Sequence, residues 1–200
     1  RATGQLHLGN YYGALSKFVK MQEEGVYDNY YFIADLHALT THPDPNTLHD
    51  NVKSILSEYL AAGIDPEKST IFVQSDVPEV AEMYLLLNMH VGIGELMRTA
   101  SFKDKARKQL GIKTDSESDI ENEIIGNNSN KRVNAGLLTY PTLMAVDILI
   151  QRANHVPVGK DQEQHLELTR RFARRFNSFY GVDYFAEPQN FNFGGEPVKV

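Results

Sequence analysis

The sequence predicts an α/β fold with a doubly wound parallel sheet, in which the strands run in one direction and helices cover both faces. Residues 30–34, 70–74 and 155–158 are short, nearly continuous apolar runs, which are typical of strands buried on both faces. Longer segments with apolar residues at helical spacing alternate with these runs, and this alternation indicates a parallel sheet. Because ligands of such sheets bind at the carboxyl ends of the strands, we expect the loops after the three runs and the start of the first helix to share one crevice.

Two amphipathic helices are predicted in the first third of the chain. The first begins near Asn10 and ends at Gly25. Its apolar face consists of Tyr11, Leu15, Phe18, Val19 and Gln22. The second helix follows a loop over residues 35–45, is capped by Asn46 and is closed by Gly63.

The rest of the chain is predicted to be mostly helical around a polar insertion. The expected helices cover residues 80–87, 93–102, 142–150 and 161–179. Residues 103–133 are charged and rich in asparagine, so we expect a mobile loop there. Residues 1–200 are expected to form one domain, with the insertion at about 106–133.

Composition excludes several classes of protein. The chain has no cysteine, which removes disulfides, thiolate zinc sites and cysteine nucleophiles, and its seven histidines show no metal-ligand spacing. A net charge of −6 argues against a surface coated with nucleic acid, although a local basic patch is compatible with it. No apolar run reaches the length of a membrane span and no signal peptide opens the chain, so we expect a cytoplasmic protein. The chain starts at Arg1 and stops at Val200 without a closing element, and we expect a piece of a longer protein.

A string with two glycines and a histidine, residues 3–10 (TGQLHLGN), directly precedes the first helix. Glycines let the backbone approach a ligand closely, and a helix N-terminus offers free N–H groups to a phosphate. His7 could donate a hydrogen bond to a phosphate oxygen as negative charge develops there. A glycine-rich turn with a surface histidine explains the same residues equally well.

A second motif, residues 156–162 (VPVGKDQ), leads from a strand into a helix. Gly159 permits close contact with a ligand, and Asp161 is placed to bind a ribose hydroxyl. Asp161 could instead simply cap the helix that follows, and the two interpretations have similar weight.

A third motif is the apolar helix at 142–150 with the preceding Tyr140. Tyr140, Met144 and Asp147 are spaced four and three residues apart and share one face. A buried carboxylate needs a partner, so this face fits a flat apolar ligand with a single N–H or O–H group. Core packing is the simpler explanation for Tyr140 and Met144, but it does not explain Asp147. His37 follows the first strand at the expected crevice, although a lone loop histidine is more often structural.

The basic residues form two groups. Lys103 and Lys105, together with Arg107 and Lys108, adjoin the polar insertion and are candidates for phosphate contacts. The second group, at 170–175, complements the carboxyl end of the last helix, where Glu167 and Arg171 have the spacing of a helical ion pair. We expect this second group to form a solvated face.

Taken together, four segments resemble the class I aminoacyl-tRNA synthetases, and among them the tryptophan-specific members. They are residues 3–11, similar to the first class I signature; 34–40, similar to the loop after the second strand; 136–147, similar to the tryptophan pocket; and 156–170, similar to the ribose and amino acid loop. The resemblance runs through nearly the whole chain and implies the Rossmann-like catalytic domain of this class.

The resemblance implies an enzyme that activates tryptophan with ATP to tryptophanyl-adenylate and transfers it to tRNA(Trp), as a homodimer, with Mg²⁺ accompanying ATP. The implied ATP-binding residues are His7, Gly9, Asn10, Gly159, Asp161 and Gln162. The implied catalytic residues are His7, Asn10, Lys103 and Lys105, the last two as lysines of a mobile loop that reach the phosphates. The implied tryptophan-binding residues are His37, Tyr140, Met144, Asp147, Ile148, Val156, Val158 and Gln162, with Asp147 accepting the indole N–H.

The chain departs from the family pattern in three ways. The strand that precedes Thr3 in the family is missing, the insertion is longer than the family minimum, and neither the lysine-rich second signature nor the anticodon-binding domain is present. We therefore expect a catalytic domain truncated at both ends, which binds tryptophan and turns over poorly by itself. Two alternatives remain: a tyrosyl-tRNA synthetase, and a non-catalytic relative that binds tryptophan or a nucleotide.

Overall fold

A computed structural model describes residues 9, 11–112, 122, 133–159 and 162–191 of the chain. The chain forms two compact units that meet in sequence after Pro78. The first unit contains α1 (Ser16–Glu24), β1 (Asn29–Ile33), α2 (Asp35–Leu39), α3 (Pro45–Ala61) and β2 (Ser69–Val73). The second contains α4 (Pro78–Asn88), α5 (Ile93–Met97), α6 (Ala100–Leu110), α7 (Ala135–Leu138), α8 (Tyr140–Ile150), β3 (His155–Val156), α9 (Glu163–Tyr180) and β4 (Gln189–Asn190).

The first unit is built on the predicted parallel pairing of its two strands. β1 and β2 run parallel in a register that places Asn29 beside Ser69 and Ile33 beside Val73. Side chains from α1 and α3 cover the strands and form two hydrophobic clusters. The buried residues of one cluster are Ile33, Ala38 and Ile55. Those of the other are Leu15, Tyr31 and Ile64. The strand–helix–strand order with parallel pairing confirms the predicted α/β arrangement.

The helix boundaries in this unit follow local chemistry. A π-helical turn, Tyr11–Leu15, leads into α1, and Gly25 ends α1 with a φ of 64°, a left-handed conformation that glycine adopts without strain. The predicted cap of α3 was wrong: Asp44 is the N-cap, and its carboxylate accepts a hydrogen bond from the Asn46 N–H. Pro45 then occupies the first turn, where its missing N–H costs nothing.

The second unit differs from the prediction in two elements. Residues 103–110 belong to α6 and are not a loop, because Phe102 and Ala106 lie one turn apart and pack against Leu137 in a buried cluster. The third strand is shorter than predicted, and it pairs in parallel with β4, which was not predicted. The predicted helices at 142–150 and 161–179 correspond to α8 and α9.

Among the described residues, no helix is both long and apolar enough to cross a membrane. The predictions for residues 3–8, Asn10, Asp161 and most of the polar insertion lie outside the described residues.

Candidate functional site

The helix α8 carries the predicted apolar face with one carboxylate. Every residue from Pro141 to Leu149 is buried except Met144, which is half-buried, as is Tyr140 one turn earlier. Asp147 lies one further turn along and is only 7% exposed. One face of the helix therefore carries the half-buried side chains of Tyr140 and Met144, followed by the buried carboxylate of Asp147. Ile148 is buried next to Asp147.

Tyr140, at the first residue of α8, lies near two side chains from other helices. The Lys105 Nζ of α6 sits 3.8 Å from the centre of the Tyr140 ring, which is a cation–π contact. The ring of His165, from α9, is 6.0 Å away between centroids. Side chains from the three helices α6, α8 and α9 thus meet at Tyr140.

His165 is the centre of a hydrogen-bond chain at the same place. Its Nε2 lies 2.6 Å from the Ser101 hydroxyl on α6, and its Nδ1 lies 2.9 Å from the amide oxygen of Gln162. The His165 side chain is 1% exposed, whereas Gln162 is half-buried at the N-terminus of α9. A second bond, from the Ala100 N–H to the Gln164 amide oxygen at 3.1 Å, joins the same two helix ends.

The other predicted site residues of this unit lie in β3 and in the loop between β3 and α9. Val156 and Val158 are half-buried and Gly159 is exposed at the carboxyl end of the strand. The second unit therefore brings Lys105, Tyr140 and Gln162 of the predicted set together near His165, which lies in the segment similar to the ribose and amino acid loop but was given no role from the sequence. Lys103 lies on α6 and is half-buried, so neither lysine belongs to a loop among the described residues.

In the first unit, the loops after β1 and β2 meet as predicted. The Asp35 carboxylate accepts hydrogen bonds from the Ser75 N–H at 3.1 Å and from the Ser75 hydroxyl at 2.5 Å. The His37 N–H donates to the amide oxygen of Gln74, which is fully buried. His37 itself is 4% exposed, so its side chain belongs to the interior of this unit. Gly9 is exposed, and His7, Asn10 and Asp161 lie outside the described residues.

A charged cleft of about 300 Å³ lies between α5, the start of α6 and α9, and no sequence pattern predicted it. Glu95 pairs with Arg175 at 2.9 Å and with Arg171 at 3.9 Å, and the predicted Glu167–Arg171 pair is present at 3.6 Å. Burial opposes ionisation of Glu167, but hydrogen bonds from Arg170 and Arg174 outweigh it and hold the pKa of this carboxyl below its ordinary value. The sequence predicted a solvated face here, and Arg171, Arg174 and Arg175 are indeed largely exposed, but they also pair with Glu95, Glu167 and Glu187.

Comparison with known proteins identifies the class. The fold matches solved class I synthetases: the Campylobacter jejuni tryptophanyl-tRNA synthetase complexed with ADP and tryptophan shares 36% identity at a TM-score of 0.80, over 96% of this chain and 53% of that one. This similarity confirms the predicted Rossmann-like catalytic fold. The family model of class I tRNA synthetases for tryptophan and tyrosine (W and Y) matches residues 1–193, so the chain belongs to this family.

Tryptophan–tRNA ligases are among the similar curated proteins. The tryptophan–tRNA ligase of Porphyromonas gingivalis is 58% identical over 200 residues, which is 100% of this chain and 54% of that protein. The ligase of Fusobacterium nucleatum is 48% identical over 187 residues, 94% of this chain and 50% of that protein. The chain therefore spans about half the length of the relatives that it matches.

Proposed function

We propose that this chain supplies the amino acid and nucleotide-binding part of an enzyme that activates tryptophan with ATP and transfers it to tRNA(Trp). The observation that carries the proposal is the identity of 58% over the whole chain to a tryptophan–tRNA ligase. The half-buried line of Tyr140 and Met144, ending at the buried Asp147, supports it because it suits a flat, apolar amino acid with one N–H group.

The proposed reaction has two steps. A carboxylate oxygen of tryptophan attacks the α-phosphorus of ATP, the bond from that phosphorus to the bridging oxygen breaks, and pyrophosphate leaves. The aminoacyl group then passes from the adenylate to a hydroxyl of tRNA, and AMP leaves. Because the protein supplies no covalent intermediate, it must act by positioning the two substrates and by stabilising the charge on the phosphate.

We call the proposed tryptophan site around Tyr140, Met144 and Asp147 the tryptophan slot, and each of its residues has a proposed role. Asp147 accepts the indole N–H, which excludes side chains that lack this donor. The apolar walls are Tyr140, Met144, Ile148, Val156 and Val158. Gln162 and the hydroxyl of Tyr140 bind the amino acid head group. Their placement around α8, β3 and the start of α9 supports these roles.

The nucleotide-binding roles are proposed on the family resemblance. Gly9 and Gly159, both exposed, would lie against ATP, and Lys103 and Lys105 would neutralise its phosphates from α6. The roles of His7, Asn10, His37 and Asp161 stay predictions. Mg²⁺ would be held mainly by the phosphates of ATP, since the described part of the chain contains no group of three His, Asp or Glu side chains that could hold a metal. We also propose a cytoplasmic location, because tRNA charging takes place there.

Pyrophosphate exchange tests the proposal against its alternatives. The complete protein is expected to exchange labelled pyrophosphate into ATP with tryptophan, and much less efficiently with tyrosine. Preference for tyrosine would replace the proposal by a tyrosyl-specific enzyme. Tryptophan binding in calorimetry without any exchange would favour the non-catalytic relative.

We also propose a homodimer, supported by an exposed apolar surface on the second unit. Leu85, Leu86 and Met89, around the carboxyl end of α4, are 60%, 65% and 73% exposed, and Phe179 of α9 is 71% exposed. The ring of His90 touches that of Phe179 at 5.3 Å between centroids, so the two helices join in one patch. Apolar patches of this kind mark protein interfaces.

Introducing a charge into this patch is expected to separate the subunits. The variant Met89→Glu should sediment as a monomer where the wild-type protein sediments as a dimer, because a buried unpaired carboxylate is costly at an interface. The control is Val26→Glu, which replaces a side chain that is 72% exposed in the other unit. A monomeric wild type, or dimers in both variants, would contradict the proposal.

A further inference from the structure

The charged cleft between α5, the start of α6 and α9 has no part in the amino acid and nucleotide binding proposed above. Its volume of about 300 Å³ lies at the lower end of the range of ligand sites. The two buried residues that line it are Thr99 and Leu168. Its charged and amide side chains are Glu95, Arg98, Gln164, Glu167, Arg171 and Arg175.

Two arginines of the cleft have N–H donors that the described part of the chain does not use. Arg171 forms ion pairs at 3.6 Å with Glu167 and at 3.9 Å with Glu95, and both distances are too long for hydrogen bonds. Arg98 is exposed and forms no ion pair or hydrogen bond with any described residue. A guanidinium group carries five N–H donors in a planar fork, which matches the oxygens of a phosphate.

Gln164 adds a neutral donor to the same cleft. Its amide oxygen accepts a hydrogen bond from the Ala100 N–H at 3.1 Å, so the amide nitrogen is the end that remains for a ligand. The side chain is exposed in the first turn of α9. Two guanidinium groups and one amide N–H group together suit an anion with several acceptor oxygens.

The surface around the cleft is positive, although the chain as a whole is not. Five arginines line or adjoin the cleft, and three glutamates form ion pairs with them, which leaves an excess of two positive charges in this network. The whole chain has a net charge of −6. A local positive surface on an acidic protein attracts a polyanion to that place and not to the rest of the surface.

The cleft adjoins the tryptophan slot through the ends of two helices. Gln164 lines the cleft, and the ring of the next residue, His165, lies 6.0 Å from the ring of Tyr140 in the slot. On the other side, Thr99 lines the cleft, and Ser101 of α6 is hydrogen-bonded to His165 at 2.6 Å. A group bound in the cleft therefore lies close to the place where the amino acid is proposed to be activated.

We propose that this cleft binds a backbone phosphate of the tRNA substrate, with Arg98 and Arg171 as the cationic donors. The proposal rests on the proposed function, in which the accepting end of the tRNA must reach the adenylate beside the slot. That function supplies a polyanion at this surface, which favours a phosphodiester over the carboxylates of an acidic protein segment. Contacts with backbone phosphates fix the position of a nucleic acid without reading its sequence.

Comparing tRNA charging with amino acid activation tests this role. In the complete protein, Arg98→Gln and Arg171→Gln are each expected to raise the KM for tRNA in aminoacylation about 3- to 10-fold, because each removes a charged donor to phosphate. Pyrophosphate exchange, which proceeds before tRNA takes part, should keep its KM for tryptophan and for ATP within about twofold. The control is Lys53→Gln, which removes an exposed positive charge from α3 in the other unit and should leave the KM for tRNA unchanged.

The salt dependence of tRNA binding is a second measurement, which a purely structural role would not change. Losing one phosphate contact is expected to reduce the slope of log Kd against log salt concentration by about 0.7 to 1. Arg98→Lys should keep the wild-type slope, since lysine keeps the charge. Because Arg98 contacts no described residue by a hydrogen bond or ion pair, its variants are expected to fold.

Two results would overturn the proposal and leave the proposed function standing. One is an unchanged KM for tRNA and an unchanged salt slope in both glutamine variants, which would assign the cleft to another anion, such as an acidic protein segment. The other is an equal loss in pyrophosphate exchange and in charging, which would mean that the substitutions act on the activation site. A wild type that fails to exchange pyrophosphate with tryptophan would instead remove the proposed function, and this role with it.

Discussion

Replacing Asp147 by alanine is expected to raise the KM for tryptophan about 10- to 100-fold, which is the range for losing a hydrogen bond to a charged group. The KM for ATP should stay within about twofold, because the substitution lies in the amino acid slot. Asp147 is 7% exposed on an otherwise buried helix, so water cannot easily replace the lost acceptor. Steady-state pyrophosphate exchange with the complete protein measures both constants.

A substrate analogue sharpens this prediction. The benzothiophene analogue of tryptophan keeps the shape of the indole and lacks the N–H, so the wild type should discriminate strongly against it. The variant Asp147→Ala should lose most of that discrimination, since neither ligand then finds an acceptor. Asp183→Ala, which removes an exposed carboxylate of the same unit, is the control and should behave as the wild type.

Two results would contradict the role of Asp147. One is an unchanged KM for tryptophan in a folded Asp147→Ala protein. The other is undiminished discrimination against the analogue, which would mean that another group reads the indole nitrogen. Because removing a buried carboxylate can destabilise its surroundings, Asp147→Asn is a second variant: its amide oxygen can still accept, and a smaller rise in KM is expected.

Burial and periodicity let the sequence predict the elements that carry the tryptophan slot. α8 is apolar on every side, so its identity as a buried helix could be predicted, and a single acid at position 147 stood out against that background. The strands β1 and β2 were recognisable for the same reason, since their apolar runs are short and continuous. Their parallel pairing followed from the helix between them.

Where polar residues decide the structure, the sequence was misleading. The segment 103–110 is charged enough to suggest a loop, yet two buried side chains one turn apart, Phe102 and Ala106, make it a helix. The spacing of four residues between Phe102 and Ala106 could have predicted this helix from the sequence. The N-cap of α3 could also have been predicted from the sequence, because a proline in the first helical turn indicates that the residue before it, Asp44, is the cap.

The hydrogen-bond chain through His165 could not have been found from sequence patterns. Ser101 and His165 are 64 residues apart, and each is unremarkable within its own helix. Only tertiary packing of α6 against the start of α9 brings them together. Of its members, Gln162 was assigned a role only through the family resemblance, and not because its spacing carried a signal.

Gln22 shows how a polar residue on an apolar face can be explained once its partners are known. The side chain is 3% exposed near the end of α1 and makes two hydrogen bonds to the turn before β2 and one to the first residue of β2. Its amide nitrogen donates to the Gly63 carbonyl at 3.1 Å. Its amide oxygen accepts from the Asp65 N–H at 2.7 Å and from the Ser69 hydroxyl at 3.0 Å. One amide thus joins a helix, a turn and a strand.

Substituting Gln22 by methionine is expected to lower the free energy of unfolding by about 2–4 kcal/mol, because three polar groups lose their partner while the volume hardly changes. Urea denaturation of the complete protein, followed by circular dichroism, measures the loss. Glu24→Met, two residues further along the same helix and exposed, is the matched control and should change stability by less than about 0.5 kcal/mol. Equal stability of the two variants would show that water replaces the glutamine at this junction, and that hydrogen bonding through Gln22 does not stabilise the first unit.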